Sequence, residues 1–385
     1  MPLSMTGLGG GAGSLSRHSG GGFPGYNEPK LGNGTGLIFG PYDNAGNVLV
    51  GYLGPTKANL RLYYKNYMSW GSWVDNDINF STTSTGIQVW HAPETRSYTF
   101  EMETPKFHTN LVNGNPAGDG RHLKFSYNLT AGDRLFILPG QRCHPTPDGN
   151  SSHGGNGGTF LVMGDSTESN LDTDLYNCVK SSVLAVCGGA GKATNGGAGD
   201  ATTPGSHPSG GDDETLQNNG SGRSLNNYHG FSGAGGPSGG AGFLRGACQH
   251  NAAGSQFFRY AEKQDSTSFI YDADSFVRGG LGGRGYNHTM FHDMANAGQG
   301  NNGMNGSGGF GGGGGQSTGN SYSSGAGGYQ GGNESDGSSH YPSTHKYSNG
   351  ADRHCGGGSY VKSGISLLTN TTGTGSLGYV KITYT

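Results

Sequence analysis

His288, His292 and Asp293 are the residues best spaced for metal chemistry, because on a helix the two histidines, four positions apart, would share one face. A zinc site needs at least three protein donors, and the spacing specifies no third one. The group is therefore read as part of a polar surface loop. Asp272-Ala273-Asp274 offers paired carboxylates for calcium but lacks the glycine and terminal glutamate of an EF-hand loop. Gly-x-Gly-x-x-Gly matches arise by chance in so glycine-rich a chain, and none both follows a strand and opens a helix. No Gly-x-Ser-x-Gly elbow stands between a strand and a helix with partners in order. The five cysteines (Cys143, Cys178, Cys187, Cys248, Cys355) form no CxxC pair, are too irregular for a disulfide framework, and leave one unpaired within the chain. The expectation is a protein without catalytic residues, metal or other cofactor.

What remains is binding, and the aromatic residues carry it. Phe257, Phe258, Tyr260, Phe269, Tyr271 and Phe276 exceed what a solvated loop needs, so they form either a small core against the rest of the protein or a recognition or assembly surface. Tyr322, Tyr329, Tyr341 and Tyr347 fall at expected loop tips, where a tyrosine offers large contact area at little rotamer cost. Trp70, Trp73 and Trp90 are expected to anchor the fold, with a sugar-stacking platform as the alternative. Sequons such as Asn128-Leu129-Thr130 and Asn370-Thr371-Thr372 matter only in a secretory pathway.

The elements that must position these residues are strands. Short apolar runs bounded by Gly, Asn or Pro appear in GLIFGPY, NVLVGYL and NLRLYYKNYMSW, and all three read as strands. Stronger signals follow in IQVWHAP, SYTFEMET, LKFSYNL, RLFILPGQ, TFLVMG and SVLAVCGG. Leu123, Phe125, Tyr127 and Leu129 alternate with polar neighbours, the period of two that marks a half-buried hairpin strand, with Thr130-Ala131-Gly132-Asp133 as its turn. At the end of the chain Val380, Ile382 and Tyr384 alternate with Tyr379, Lys381, Thr383 and Thr385. Strands at both ends with a glycine block between them predict one β-sandwich carrying an insertion. The divisions expected are an assembly or docking arm at 1–40, the sandwich at 41–187, the insertion at 188–358 with an aromatic-polar loop at 243–297, and completing strands at 359–385.

The insertion needs its own physics. Glycine fills 80 of 385 positions, well above the roughly 7% of ordinary proteins but short of the one-third that collagen demands. Runs such as Gly308–Gly315 cannot be α-helical, since each interior glycine costs about 0.8–1.0 kcal/mol relative to alanine, and they offer a sheet no side chains to pack. The extended left-handed helix with three residues per turn remains, and it has no internal hydrogen bonds. Without Cβ atoms, such polyglycine II helices approach closely enough to bond laterally, so a backbone lattice replaces an apolar core.

The ordered series GIQVWHAPETRSYTFEME, LKFSYNLTAGDRLFILPGQR, GGNGGTFLVMG, SVLAVCGGAG, CGGGSYVKSG and GYVKITYT, spanning about 86 to 385, resembles the glycine-rich domain family. That family is best known from the ectodomains of the anaplastic lymphoma kinase and leukocyte tyrosine kinase receptors. The resemblance implies a tumour-necrosis-factor-like β-sandwich with an inserted bundle of polyglycine II helices, binding protein ligands and not catalytic. The sequence shows no kinase or membrane span, so receptor signalling does not carry over. The glycine block is also similar to the polyglycine sandwich of bacteriophage tail-fibre adhesins, whose loops touch a host receptor, and the opening Met1-Pro2-Leu3 with Leu8-Gly9-Gly10-Gly11-Ala12 resembles the start of phage structural proteins.

A net charge of -3 with basic residues scattered gives no grip on phosphate backbones, so nucleic acid is not expected as a partner. No run reaches the roughly 18 apolar residues of a membrane span, and the first residues lack the pattern of a secretory signal. The expectation is a viral, bacteriophage-type fibre or spike protein on the virion surface. It would bind a host receptor, protein or glycan, through loops, dock to other virion proteins through its first forty residues, and form a homo-oligomer. A self-assembling fibre, capsid-decorating or matrix protein is the alternative, and an extracellular ligand-binding domain of a cellular protein the third.

Overall fold

The computed structural model describes residues 36–107, 118–144, 154–191, 231–232, 240–244, 248–249, 273–283, 308–315, 322–323, 326–329, 331, 335–336 and 356–384. Strands β1 (Leu37–Phe39), β2 (Phe80–Thr82), β3 (Gln88–His91), β4 (Arg96–Glu103), β5 (Gly120–Leu129), β6 (Arg134–Leu138), β7 (Thr159–Met163) and β8 (Val183–Cys187) come from the first half of the chain. Two-residue strands β9 (Phe231–Ser232), β10 (Cys248–Gln249), β11 (Tyr322–Ser323) and β12 (Ser335–Asp336) lie in the insertion. Strands β13 (Tyr360–Val361), β14 (Leu367–Gly373) and β15 (Tyr379–Tyr384) follow it.

Two antiparallel sheets make a β-sandwich, one of five strands in the order β1-β15-β4-β5-β14 and one of six in the order β13-β8-β7-β6-β3-β2. β1 already pairs with β15, Leu37 opposite Ile382, so the sandwich starts inside the stretch expected to be arm. The insertion separates β8 from β13, yet these strands are paired neighbours, Val186 opposite Tyr360. The chain therefore leaves and re-enters the sheet at one place, as an insertion must.

The turn after β5 does not close a hairpin. Residues 130–133 carry the chain from the five-stranded sheet to β6 in the six-stranded one, and residues 92–95 make the reverse crossing from β3 to β4. The two crossings lie side by side and bond each other, through Ala92 N–H to Asp133 O (2.9 Å) and Gly132 N–H to Ala92 O (2.7 Å). β5 instead pairs with β4 and β14. Its alternation holds: Leu123, Phe125 and Leu129 are buried in the sandwich, with Tyr127 packed at its margin, while Lys124 and Ser126 face outward.

The stretch NLRLYYKNYMSW is not a strand but helix α1 (Lys57–Asn66) followed by a 3-10 turn (Gly71–Asp75). The Thr56 side chain accepts from Asn59 N–H and caps the helix, and Leu60, Tyr63 and Tyr64, at helical spacing, are its buried face. The short alternation Leu60-Arg61-Leu62 fits either period, and the cap decides it. Trp70, Trp73 and Trp90 are all buried in the same core, so they anchor the fold. Two buried polar side chains there satisfy each other: Tyr64 donates to Gln88 Oε1 (2.6 Å), and Gln88 Nε2 donates to Gly40 O (3.0 Å).

The six-stranded sheet is buried on both faces, which explains why β6 after Arg134, and all of β8, are continuously apolar rather than alternating. Leu135 and Ile137 point into the sandwich; Phe136 and Leu138 point outward into a second core. A bulge between β7 and β8 shifts the register at Leu161 and Val162 and places both Leu184 and Ala185 inward. The second core is completed by helix α2 (Leu171–Asn177) and by Phe243, Phe276, Val277 and Phe310 of the insertion. These side chains pack the described part of the insertion on the sandwich.

Candidate functional site

At one end of the sandwich, strands of the six-stranded sheet run on into glycine-rich segments. β6 continues into 139–142, β8 into 188–191, and segments 154–158 and 356–359 lead into β7 and β13. Polar side chains make the joint: Thr104 Oγ1 donates to Gly188 O (2.7 Å), Thr159 Oγ1 to Glu103 O (2.8 Å), and Ser359 Oγ accepts from Gly188 N–H (2.9 Å). Segments 240–244, 273–283, 308–315 and 326–329 of the insertion lie against these extensions.

Beyond the joint the hydrogen bonding changes period. Gly155, Asn156, Gly157 and Gly158 donate in turn to Gly314, Ala190, Gln141 and Gly311, at 2.9 to 3.0 Å. Positions 155 and 158 reach the same neighbouring segment and the two between them reach two others, a repeat of three; a strand would alternate between two neighbours. Gly327, Gly328 and Tyr329 likewise donate to three different segments, at Asn156 (2.9 Å), Ala241 (3.3 Å) and Gly358 (2.8 Å). Backbones this close leave no room for side chains. A Cβ on Gly157 would overlap the Phe310 carbonyl oxygen, and one on Gly327 the Gly311 carbonyl oxygen.

Asn156 is the hub. Its backbone bonds Ala190 and Gly327, while its fully buried side chain accepts from Cys143 N–H (3.1 Å) and donates to Pro105 O (3.0 Å), tying four separate stretches of chain together. Sequence reasoning passed over it; a single amide side chain inside GGNGG was the available signal.

A column of five rings fastens the lattice to the sheet. Phe160 of β7 stacks on Phe276 (4.8 Å between centroids), Phe276 on Phe243 (5.5 Å), Phe243 on Tyr329 (6.2 Å) and Tyr329 on Tyr360 of β13 (4.2 Å), all within 30° of parallel. The three phenylalanines are buried and the two tyrosines half-buried. Tyr329, expected at a loop tip, is thus an anchor in this column, and Phe276 belongs to core rather than to a recognition surface. Tyr322 lies in β11, whose backbone alone is described. Phe257, Phe258, Tyr260, Phe269, Tyr271, Tyr341 and Tyr347 lie outside the described residues, as do His288, His292, Asp293 and Asp272.

Gly283 and Gly308, which flank residues 284–307, are bonded directly to each other, Gly308 N–H to Gly283 O at 2.8 Å.

Titratable groups near the lattice serve structure. Burial pushes the Asp274 carboxyl up to about 6, against an opposing pull from Arg278. On the six-stranded sheet, Arg134 donates to the Asp174 carboxylate (2.6 Å) and to the carbonyls of Asp165 and Glu168, pinning α2 and the preceding loop. Its Nε donates to His91 Nε2 (3.1 Å), and burial together with the Arg134 charge lowers His91 to about 4, so that imidazole is neutral near pH 7. Cys143, Cys178 and Cys187 are buried; burial raises the Cys178 thiol to about 12 and holds the Cys187 thiol well above its ordinary value, which suppresses thiolate chemistry at both. Among the described residues no group of three or more His, Cys, Asp or Glu side chains is arranged to hold a metal ion, and no helix is long and apolar enough to cross a membrane. No protein-family model matches the chain, and no curated protein matches it either.

Proposed function

We propose that this protein is an extracellular attachment protein of the fibre or spike type, carried on a virion and most simply a bacteriophage, whose glycine-rich segments pack as polyglycine II helices and present loops to a host receptor. The observation that carries this reading is the threefold change of bonding partner along 155–158 and 327–329. Chains with three residues per turn and no internal hydrogen bonds turn successive amides in three directions. A lattice bonded this way resists deformation, so segments leaving it start from fixed points, as recognition loops require. Contacts would come from side chains between the lattice segments, with protein or glycan as ligand and the first forty residues docking to other virion proteins. The virion assignment rests on the likeness of the glycine block to phage adhesins.

The bonded pair Gly283 and Gly308 gives a clean test, because residues 284–307 can be replaced by a short Gly-Ser linker without straining the scaffold. Purified full-length protein should bind a susceptible bacterial strain saturably and compete with phage adsorption. Linker replacements of 284–307 and 145–153, made separately, should identify the loop that carries binding while leaving the melting temperature within a few degrees. Absence of binding across a broad strain panel, together with filaments under the electron microscope, would replace this reading with the self-assembling structural one.

A further inference from the structure

Each sheet of the sandwich has two edges, and three of the four are blunted. β1 and β2 are three residues long and β13 two, too short to template another strand. β14 is different. It runs for seven residues, Leu367–Gly373, about 24 Å at ~3.4 Å per residue, in the sequence LLTNTTG without a charge or a proline. Its inner side pairs with β5, and no described residue hydrogen-bonds along its outer side.

A bulge at Leu368 kinks the start of the strand, and the run from Thr369 to Gly373 beyond it keeps an even register on β5. Arg121 of β5 donates from Nε and Nη2 to the Asn370 side chain, and His122 Nδ1 lies 3.4 Å from Thr371 Oγ1, so the polar side chains are engaged with the strand behind and not folded over the edge. Leu368, at the register shift, is 62% exposed, and Asn370 and Thr372 are exposed as well. Natural sheets protect long edges with lysine, proline, a bulge or a covering element. Past the bulge at Leu368, the run from Thr369 to Gly373 carries no lysine or proline, and among the described residues none hydrogen-bonds along its outer side, which leaves five residues open to pairing.

We propose that β14 pairs with β14 of a second copy of this chain, antiparallel about a two-fold axis, so that two five-stranded sheets become one of ten strands. An antiparallel strand edge is complementary to itself, since each outward N–H meets a C=O of the copy, and a two-fold operator needs no second partner sequence. Threonine and asparagine opposite their own kind bring no like charges together, and threonine cross-pairs are favourable. The other edges offer no comparable length, which selects this one.

The test uses the full chain. Sedimentation equilibrium at about 1 to 100 µM should give a dimer, and the double variant L368K/T372K, which sets four lysines against one another, should weaken it at least ~100-fold with an unchanged melting temperature. Hydrogen exchange on the unaltered protein should show amides of 367–373 protected at high concentration and exchanging on dilution. The proposal is overturned by a monomer at 100 µM, by a higher oligomer indifferent to the lysines, or by β14 amides protected at every concentration, which would mean that another part of the same chain covers the edge.

Discussion

Gly327→Ala isolates the steric reason for glycine in the lattice. Gly327 has an ordinary backbone conformation, so alanine there meets no dihedral penalty; the cost comes from a Cβ placed against the Gly311 carbonyl oxygen. Relief requires segment 326–329 to move away from 311, and the bonds at risk are Gly327 N–H to Asn156 O (2.9 Å) and Gly189 N–H to Gly327 O (2.8 Å). Breaking both leaves buried donors and acceptors without partners at about 1–3 kcal/mol each, so about 4 kcal/mol is expected in all, a large share of the 5–15 kcal/mol that holds a typical domain. Gly132→Ala is the control: that glycine has φ +89° with open space around it, and alanine costs only the left-handed strain of about 1–2 kcal/mol. Hydrogen exchange read by mass spectrometry should show segments 154–158, 188–191 and 326–329 losing protection together in Gly327→Ala. The sandwich strands should stay protected. If Gly327→Ala costs no more than Gly132→Ala, close backbone approach is not what stabilises this end of the molecule.

Phe243→Ala removes the middle of the ring column and should cost about 3–5 kcal/mol, seen as a separate low-temperature transition in which the insertion loosens before the sandwich melts. Asp174→Asn removes the carboxylate paired with the buried Arg134, and denaturant titration should show a loss of about 3–5 kcal/mol. Asp274 and His91 act oppositely with pH. Asp274 is raised from 3.8 to about 6, so its burial penalty is full above pH 6 and disappears as pH falls toward 4; His91 is lowered from 6.5 to about 4, so its penalty appears as pH falls through that same window. Each amounts to at most about 3 kcal/mol. Asp274→Asn should therefore raise stability at pH 7 and steepen the loss between pH 6.5 and 4, which melting temperatures across that range would show.

Much of the sandwich was legible because its signals are local. LKFSYNL and KITY alternate at the strand period, and Val380, Ile382, Leu123 and Phe125 are buried where that period puts them. The outward faces of β6 and β8 were not legible: continuous apolar runs say only that both faces are covered, not by what. Which sheet each strand joins was also out of reach, since a short turn at 130–133 can close a hairpin or cross between sheets, and only pairing with Ala92 decides. In LRLYYKN the two periods coincide, and α1 follows from a cap at Thr56 and from a tyrosine whose hydroxyl finds Gln88 across the core.

The residues alone determined that this chain builds with strands and bare backbone, because alternation and the absence of Cβ atoms are properties of composition and order. Tertiary structure decided which glycines meet, that Asn156 joins four stretches of chain, and that Tyr329 is an anchor in a ring column. Those outcomes depend on partners far apart in sequence. A glycine carries no side chain whose chemistry could name its neighbour in advance, and its bonding partners are chosen by where the sheet delivers the chain.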